Sequence, residues 1–256
     1  MTTIDVTREA DYATITISNP ERKNAISAEA CQEMAAELRS LATDDGVRCV
    51  VVTGAGEDFC SGLDLTEGIA GASVSQELET GLNAIATALL RMAKPTVARV
   101  RGACVGAGAS IATACDFVYA EAGAQFGWGF TDIGLAPDTG ATYVLPRLVG
   151  VRRALDLLMT GRRVDAAEAV ELGIATEAIS SEEFEDAVAE RVATLASRPT
   201  LALGETKRLV QRNSHRPLEE ALRAEARAQE RIITTEDFSE GVQAFLQDRE
   251  PEFEGR

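Results

Sequence analysis

The 256-residue chain is poor in the side chains that usually make an active site easy to read. It has one histidine (His215), one tryptophan (Trp128) and three lysines (Lys23, Lys94, Lys207). A single histidine excludes a histidine metal cluster and leaves no Ser/His relay to assign; beside Arg216-Pro217 it reads as a loop or surface residue. The five cysteines (Cys31, Cys49, Cys60, Cys104, Cys115) include no CxxC pair and no zinc spacing, so reduced thiols are expected. No uncharged apolar run reaches the roughly 18 residues of a membrane span. The first 15 residues are charged and alternating where a secretory leader would carry an apolar block. A soluble, cytoplasmic protein is expected, with no membrane partner. Positive charge is scarce as well: 25 Lys and Arg against 41 Asp and Glu give a net charge of −16. That excludes nucleic acid as a partner, because a phosphate backbone needs a basic footprint. It also sets a problem for any anionic ligand, which local geometry must hold against the overall field.

What is present is 45% hydrophobic and 26% charged, enough for a large core. Tyr12–Ser18 alternates with period two and stops at Asn19-Pro20, predicting a strand and a turn. Ser27 is placed to cap a helix from Ala28 to about Leu41, with Glu29 in its first turn. Cys49–Thr53 (CVVVT) is a continuous apolar run, as in a strand buried on both faces of a parallel sheet. Thr96–Val100 and Phe117–Ala120 predict further strands, and the alternation with helices indicates an α/β layered core. After about residue 150 the chain reads as nearly all helix. Asp165 and Glu168 form a capping box with Gly173 at the C-cap, and Ser180 with Glu183 makes a second box before a helix to about Ala196. Leu218–Ile232 and Asp237–Gln247 predict amphipathic helices. Residues 1–195 are expected to form the core. Residues 196–256 form a helical region that packs either on that core or on a neighbouring subunit.

Two glycine clusters invite a dinucleotide reading, but neither completes GxGxxG: the sixth position is Phe59 after Gly54 and Ile111 after Gly106. A different chemistry is open to them. Gly102–Asp116 (GACVGAGASIATACD) is a tight turn entering a small-residue helix, whose first N–H groups can hold a negative oxygen. Gly54–Leu65 ends in a second glycine turn at Ser61-Gly62-Leu63. Two such turns can offer two donors to one oxyanion.

Asn19-Pro20-Glu21-Arg22-Lys23-Asn24-Ala25 resembles the NPxxxNA signature of the crotonase (enoyl-CoA hydratase/isomerase) superfamily. Phe59–Leu65 (FCSGLDL) and Gly102–Asp116 resemble its next two motifs in order, and the likeness continues through Gln125–Gly127, Leu145–Gly150 and Glu240–Phe245. The resemblance implies a spiral ββα core followed by a helical trimerisation region, a homotrimer or dimer of trimers, and a coenzyme A thioester as substrate. It implies no permanently bound cofactor and no metal. It places the two oxyanion donors on the backbone N–H groups of Leu63 and Ala107. It lays the coenzyme A arm along Arg22, Lys23, Ala25 and the loop carrying Ser61, Asp64 and Leu65, with Arg22 and Lys23 meeting its phosphates.

The catalytic acids depart from the hydratase pattern. The positions that carry glutamate in hydratases are Ser110 and Phe130 here. Adding water needs a group to activate it and a group to deliver a proton. Neither residue suits, so hydration is disfavoured. Asp138, in Gly134-Leu135-Ala136-Pro137-Asp138-Thr139-Gly140, resembles the acid of the 1,2-epoxyphenylacetyl-CoA isomerases. Two roles are open to it: a structural one, as N-cap of the helix that begins near Ala141 or in an Asx-turn, or proton transfer in a pocket lined by Trp128 and Phe130, where desolvation would raise its pKa. The activity implied is isomerisation of an unsaturated or ring-strained acyl-CoA. A crotonase-type lyase and a silent acyl-CoA binder are the alternatives. Asp64 and Asp116 are expected to cap turns within motifs, and Lys207 to lie on a solvated helix face or to reach a coenzyme A phosphate. The acyl pocket is expected between Gly68 and Leu90, a stretch without a motif.

Overall fold

The structure, a computed structural model, describes residues 1–67 and 73–256. The expected pocket-lining residues at 68–72 therefore lie outside the described residues. The first strands are β1 (Thr3–Glu9), β2 (Tyr12–Ser18), β3 (Cys49–Gly54), β4 (Thr96–Val100) and β5 (Ala103–Val105). They are followed by β6 (Phe117–Glu121), β7 (Gln125–Gly127), β8 (Val164–Asp165) and β9 (Glu177–Ile179). Between and after them run α1 (Ala28–Ala42), α2 (Val74–Thr80), α3 (Leu82–Arg91), α4 (Ala107–Ala114), α5 (Ala141–Val149) and α6 (Val151–Thr160). The remaining helices are α7 (Ala166–Leu172), α8 (Phe184–Ala196), α9 (Thr200–Asn213), α10 (Leu218–Ile232) and α11 (Glu236–Gln247).

Six strands make one sheet in the order β1-β2-β3-β4-β6-β9, and β5-β7-β8 make a second. In the large sheet β1 and β2 pair antiparallel, and every later neighbour is parallel. Burial explains the continuous apolar run of β3. Val50 and Val52 face the main core with Ile15, Leu38 and Ile85. Cys49 and Val51 face the opposite layer, where Val97 and Tyr119 meet Phe184, Val188 and Val192 of α8. A strand covered on both faces has no polar side to alternate. The loops that leave the carboxyl ends of β2, β3 and β5 lie together at one end of the sheets, where open α/β architectures bind ligands.

Several caps stand as predicted. The Ser27 hydroxyl accepts from Ala30 N at 3.1 Å, Asp165 accepts from Glu168 N at 2.8 Å, and Gly173 ends α7 at φ 76°. Others do not. The Ser180 hydroxyl donates to the Glu183 carboxylate at 3.2 Å, and α8 begins with no side-chain cap. The helix begins only at Phe184, so Glu183 stands at its N-cap position instead of in the first turn, and the box cannot form. Asp237 is inside α11 rather than starting it. It is buried and accepts from Glu254 N at 2.7 Å and Gly255 N at 2.9 Å, holding the carboxyl-terminal tail. Lys207 is neither solvated nor free for a phosphate: its ammonium contacts Asp116 at 2.7 Å and donates to Leu89 O at 2.7 Å. All five cysteines are buried free thiols. Among the described residues no helix is long and apolar enough to cross a membrane.

Arg48, at the base of β3, ties the distant tail to the core. Its buried guanidinium donates to Arg198 O and Phe253 O at 2.7 Å each and to Thr200 Oγ1 at 3.1 Å. Arg48→Met keeps the stem and strands those acceptors. Unpaired buried polar groups cost about 1–3 kcal/mol each, so urea denaturation is expected to report a loss of about 2–3 kcal/mol. A midpoint equal to that of the wild type would refute this.

Candidate active site

Three loops are locked to one another by side chains that accept and donate across them. Asn24 is fully buried, and its amide donates to Ala55 O at 2.8 Å and Asp58 O at 2.6 Å while its carbonyl accepts from Asn19 N at 2.9 Å. Asp58 Oδ1 in turn accepts from Ala103 N at 2.7 Å. Backbone bonds continue the lock: Ser61 N to Lys23 O, Ile26 N to Gly62 O and Asp64 N to Ile26 O, each at 2.9 Å.

This brings the Gly62 turn against the start of α4. A Cβ built on Gly62 would stand 3.2 Å from Val105 O and 3.6 Å from Ala107 N, and Gly62 itself sits at φ +102°. Gly106 precedes the helix at φ +58°. Both positive-φ turns favour glycine, and at Gly62 the close approach to Val105 O adds to that preference. Ala107 is the first residue of α4, so its N–H has no acceptor within the helix. Leu63 N–H lies between the two backbone bonds of the Gly62 turn. Neither donor has a backbone acceptor among the described residues. Two neighbouring free N–H groups, one with a helix dipole behind it, make a place where negative charge on an oxygen is stabilised.

Asp138 does not cap α5. That helix starts after Gly140 with no side-chain cap, and the Asp138 carboxylate instead accepts from the Thr139 hydroxyl at 2.6 Å. Thr139 is fully buried in a left-handed conformation, φ 53°, a strained state for a β-branched residue. Burial pushes the Asp138 carboxyl above the usual carboxylate range, and the Thr139 bond offsets part of that shift. A Cβ on Gly140 would lie 3.8 Å from Ala86 of α3. The other acid of this segment, Asp132, is exposed. Ser110 is buried, and its hydroxyl donates back to Gly106 O at 3.2 Å within its own helix. Phe130 is buried in the main core with Trp128, whose indole N–H has no partner among the described residues.

Comparison with known proteins gives this arrangement its context. The family model for Enoyl-CoA hydratase/isomerase matches residues 7–256. The chain belongs to this family. A Rhodobacter capsulatus protein described as a probable enoyl-CoA hydratase is 39% identical over 245 residues, covering 95% of each chain. The 1,2-epoxyphenylacetyl-CoA isomerase of Escherichia coli is 33% identical over 253 residues, covering 97% of each. A solved Mycobacterium abscessus structure of the enoyl-CoA hydratase/isomerase class superposes with a TM-score of 0.93 at 35% identity, covering 99% of this chain and all of the other. The mixed α/β architecture is therefore the crotonase fold.

The crotonase-type loops hold the remaining expected residues. Arg22 is paired with Asp64 at 2.9 Å and bonded to Thr66. Asp64 accepts from Thr66 Oγ1 and N and from Arg22, contacts that hold its carboxyl below the usual range, Thr66 foremost. It is thus a turn cap, as expected. Lys23 is the freer cation, largely exposed and 3.9 Å from Asp58. The Ser61 hydroxyl donates to Arg22 O at 3.0 Å, Ala25 is buried with its carbonyl accepting from Thr2 Oγ1, and Leu65 is exposed. Asp116 accepts from Thr96 N and Oγ1 and contacts Lys207, so it joins two strands. His215 is an exposed residue whose Nε2 lies 3.1 Å from the Arg147 guanidinium.

The raised pKa of Asp138 has a signed consequence for stability. The folded state favours the protonated acid, so its stabilising contribution is complete below the ordinary value of 3.8 and is lost as pH rises through the folded-state value. Asp138→Asn keeps an acceptor for Thr139 and carries no charge. It is expected to melt higher than the wild type near neutral pH, with the difference closing in acid. Thermal denaturation across pH checks this, and a lower melting temperature at neutral pH would refute it.

Proposed function

We propose that this enoyl-CoA hydratase/isomerase family member is an acyl-CoA isomerase in which Asp138 transfers the proton and the Leu63 and Ala107 N–H groups hold the thioester oxygen. The coenzyme A arm lies along Arg22, Lys23, Ala25 and the Ser61–Leu65 loop. The observation that carries this reading is the state of the acids. Asp138 is a desolvated carboxylate with no ion pair among the described residues and one bonded oxygen, while the hydratase positions hold a serine bonded to its own helix and a buried phenylalanine. One carboxylate can move one proton at a time, which suffices for isomerisation and falls short of hydration.

In a 3-enoyl-CoA, Asp138 removes a proton from the α-carbon. The released electron pair forms a dienolate whose oxygen accepts from Leu63 and Ala107, and the carboxylic acid returns the proton at the γ-carbon. The double bond moves from β,γ to α,β with no net gain or loss of atoms. The burial that raises the pKa also strengthens Asp138 as a base, since an ordinary aspartate is a weak one. The same enolate stabilisation would serve an oxepin ring or an epoxide, the second being the substrate type in the name of the Escherichia coli relative. The name of the Rhodobacter relative favours a second reading, a hydratase-like lyase. Incubation with 3-enoyl-CoA in D₂O separates them: isomerisation predicts conjugated product with deuterium at the exchanged carbons, and at least a 10²-fold loss in Asp138→Asn. Loss of conjugation from crotonyl-CoA supports the lyase. No reaction with either substrate supports a silent binder.

Residues 196–256 are proposed as the region through which three copies assemble. Phe245 and Leu246 of α11 are 85% and 76% exposed and Leu218 of α10 is 67% exposed, apolar area that a partner would cover. Light scattering is expected to give the mass of three or six chains, and Phe245→Arg to reduce it. A monomeric wild type would refute the assignment.

A further inference from the structure

The charge of this acidic chain is unevenly spread. Arg208 and Arg212 of α9, and Arg216 just beyond it, follow at four-residue spacing. Arg223, Arg227 and Arg231 repeat the spacing on α10. All six line one groove of about 450 Å³ between the two helices, and Glu220 is the only acid among the lining residues. Like charges four residues apart repel along a helix. The dipole at the end of α9 favours Arg212 and Arg216 but not Arg223 or Arg227 in the body of α10.

Internal pairing covers part of this charge. Glu205 takes both Arg208 and Arg231, the latter at 2.8 Å. Arg216 donates to the Asn213 amide oxygen at 3.1 Å. Among the described residues, Arg212, Arg216, Arg223 and Arg227 have no carboxylate within ion-pair distance. Four uncompensated guanidinium groups on facing helices present planar forks to one space, the arrangement that binds phosphate oxygens in pairs. From Arg223 to Arg231 the groove runs about 12 Å along α10. That length suits a short chain of linked phosphates better than a lone ion.

We propose that the α9–α10 groove binds a compact polyphosphate anion, at a site separate from the thioester site. The six arginines belong to neither the loops that hold Leu63 and Asp138 nor α4. The shared chemistry is a run of three or so phosphates, carried either by a nucleoside triphosphate or by inorganic polyphosphate.

Calorimetric titration of the full chain with inorganic tripolyphosphate, then with ATP, tests this. One site per chain is expected, weakening as salt rises. Arg223→Gln/Arg227→Gln should weaken it at least tenfold, while Arg152→Gln/Arg153→Gln on α6 leaves it within twofold. Tighter binding of ATP points to a nucleotide, and equal or weaker binding to the free polyphosphate; both keep the site. Without ligand, Arg223→Gln/Arg227→Gln should melt no lower than the wild type, because it removes mutual repulsion. The proposal is overturned by no binding, by binding that survives the α10 substitutions, or by stoichiometric displacement with coenzyme A, which would place the anion at the thioester site. It is also overturned if binding is lost only together with a change in assembly mass, since acids of a second copy would then be the occupants.

Discussion

The contact between the Gly62 turn and the first turn of α4 is the constraint around which this protein is organised. Two peptide segments 44 residues apart approach until a single Cβ would intrude on backbone atoms. Such an approach has no side chain to stabilise it, so neighbouring groups must hold it. Asn24 and Asp58 do so by satisfying main-chain donors and acceptors on three loops at once. The loops are fixed in turn by the strands that feed them, and the strands by cores on both faces of the sheet.

Electrostatics at the site run against the composition. A chain with 16 excess negative charges still has, at the Gly62 turn and at the start of α4, two N–H groups without a backbone acceptor among the described residues. Fixed dipoles act over a few ångströms in a poorly solvated place, where the remote surface acids are screened. Asp138 shows the reverse side of that arrangement. It sits in surroundings that penalise its charge, on a strained Thr139 backbone, and the fold bears the cost.

Much of this was legible in the residues. The period-free run of β3, the Ser27 and Asp165 caps and the Gly173 terminator each follow from local chemistry, and the structure contains them. β5, β7 and β8 were not legible, because strands of two or three residues carry no period and owe their conformation to partners elsewhere in the chain. β1 was read only for what it was not. Ser180 and Glu183 have the right spacing, but α8 starts three residues later than a cap at Ser180 requires. Spacing alone left Asp138 divided between a cap and a base; its bond to Thr139 and the uncapped start of α5 removed the first role. The arginine groove is not legible in the sequence, because its two stripes lie on different helices and only the packing of α9 against α10 makes them one feature.

Two of the three lysines illustrate how far a buried cation can be removed from chemistry. Lys94 is spent on Leu41 O and Asp44 O at the end of α1, and Lys207 on Asp116 and Leu89 O. Lys23 alone keeps its side chain largely in water. Amine-directed reagents, and reactive acyl thioesters among them, therefore meet one accessible lysine on the folded chain. Amine coupling would therefore mark two places on the folded chain, the loop after β2 that carries Lys23 and the α-amine of the exposed Met1.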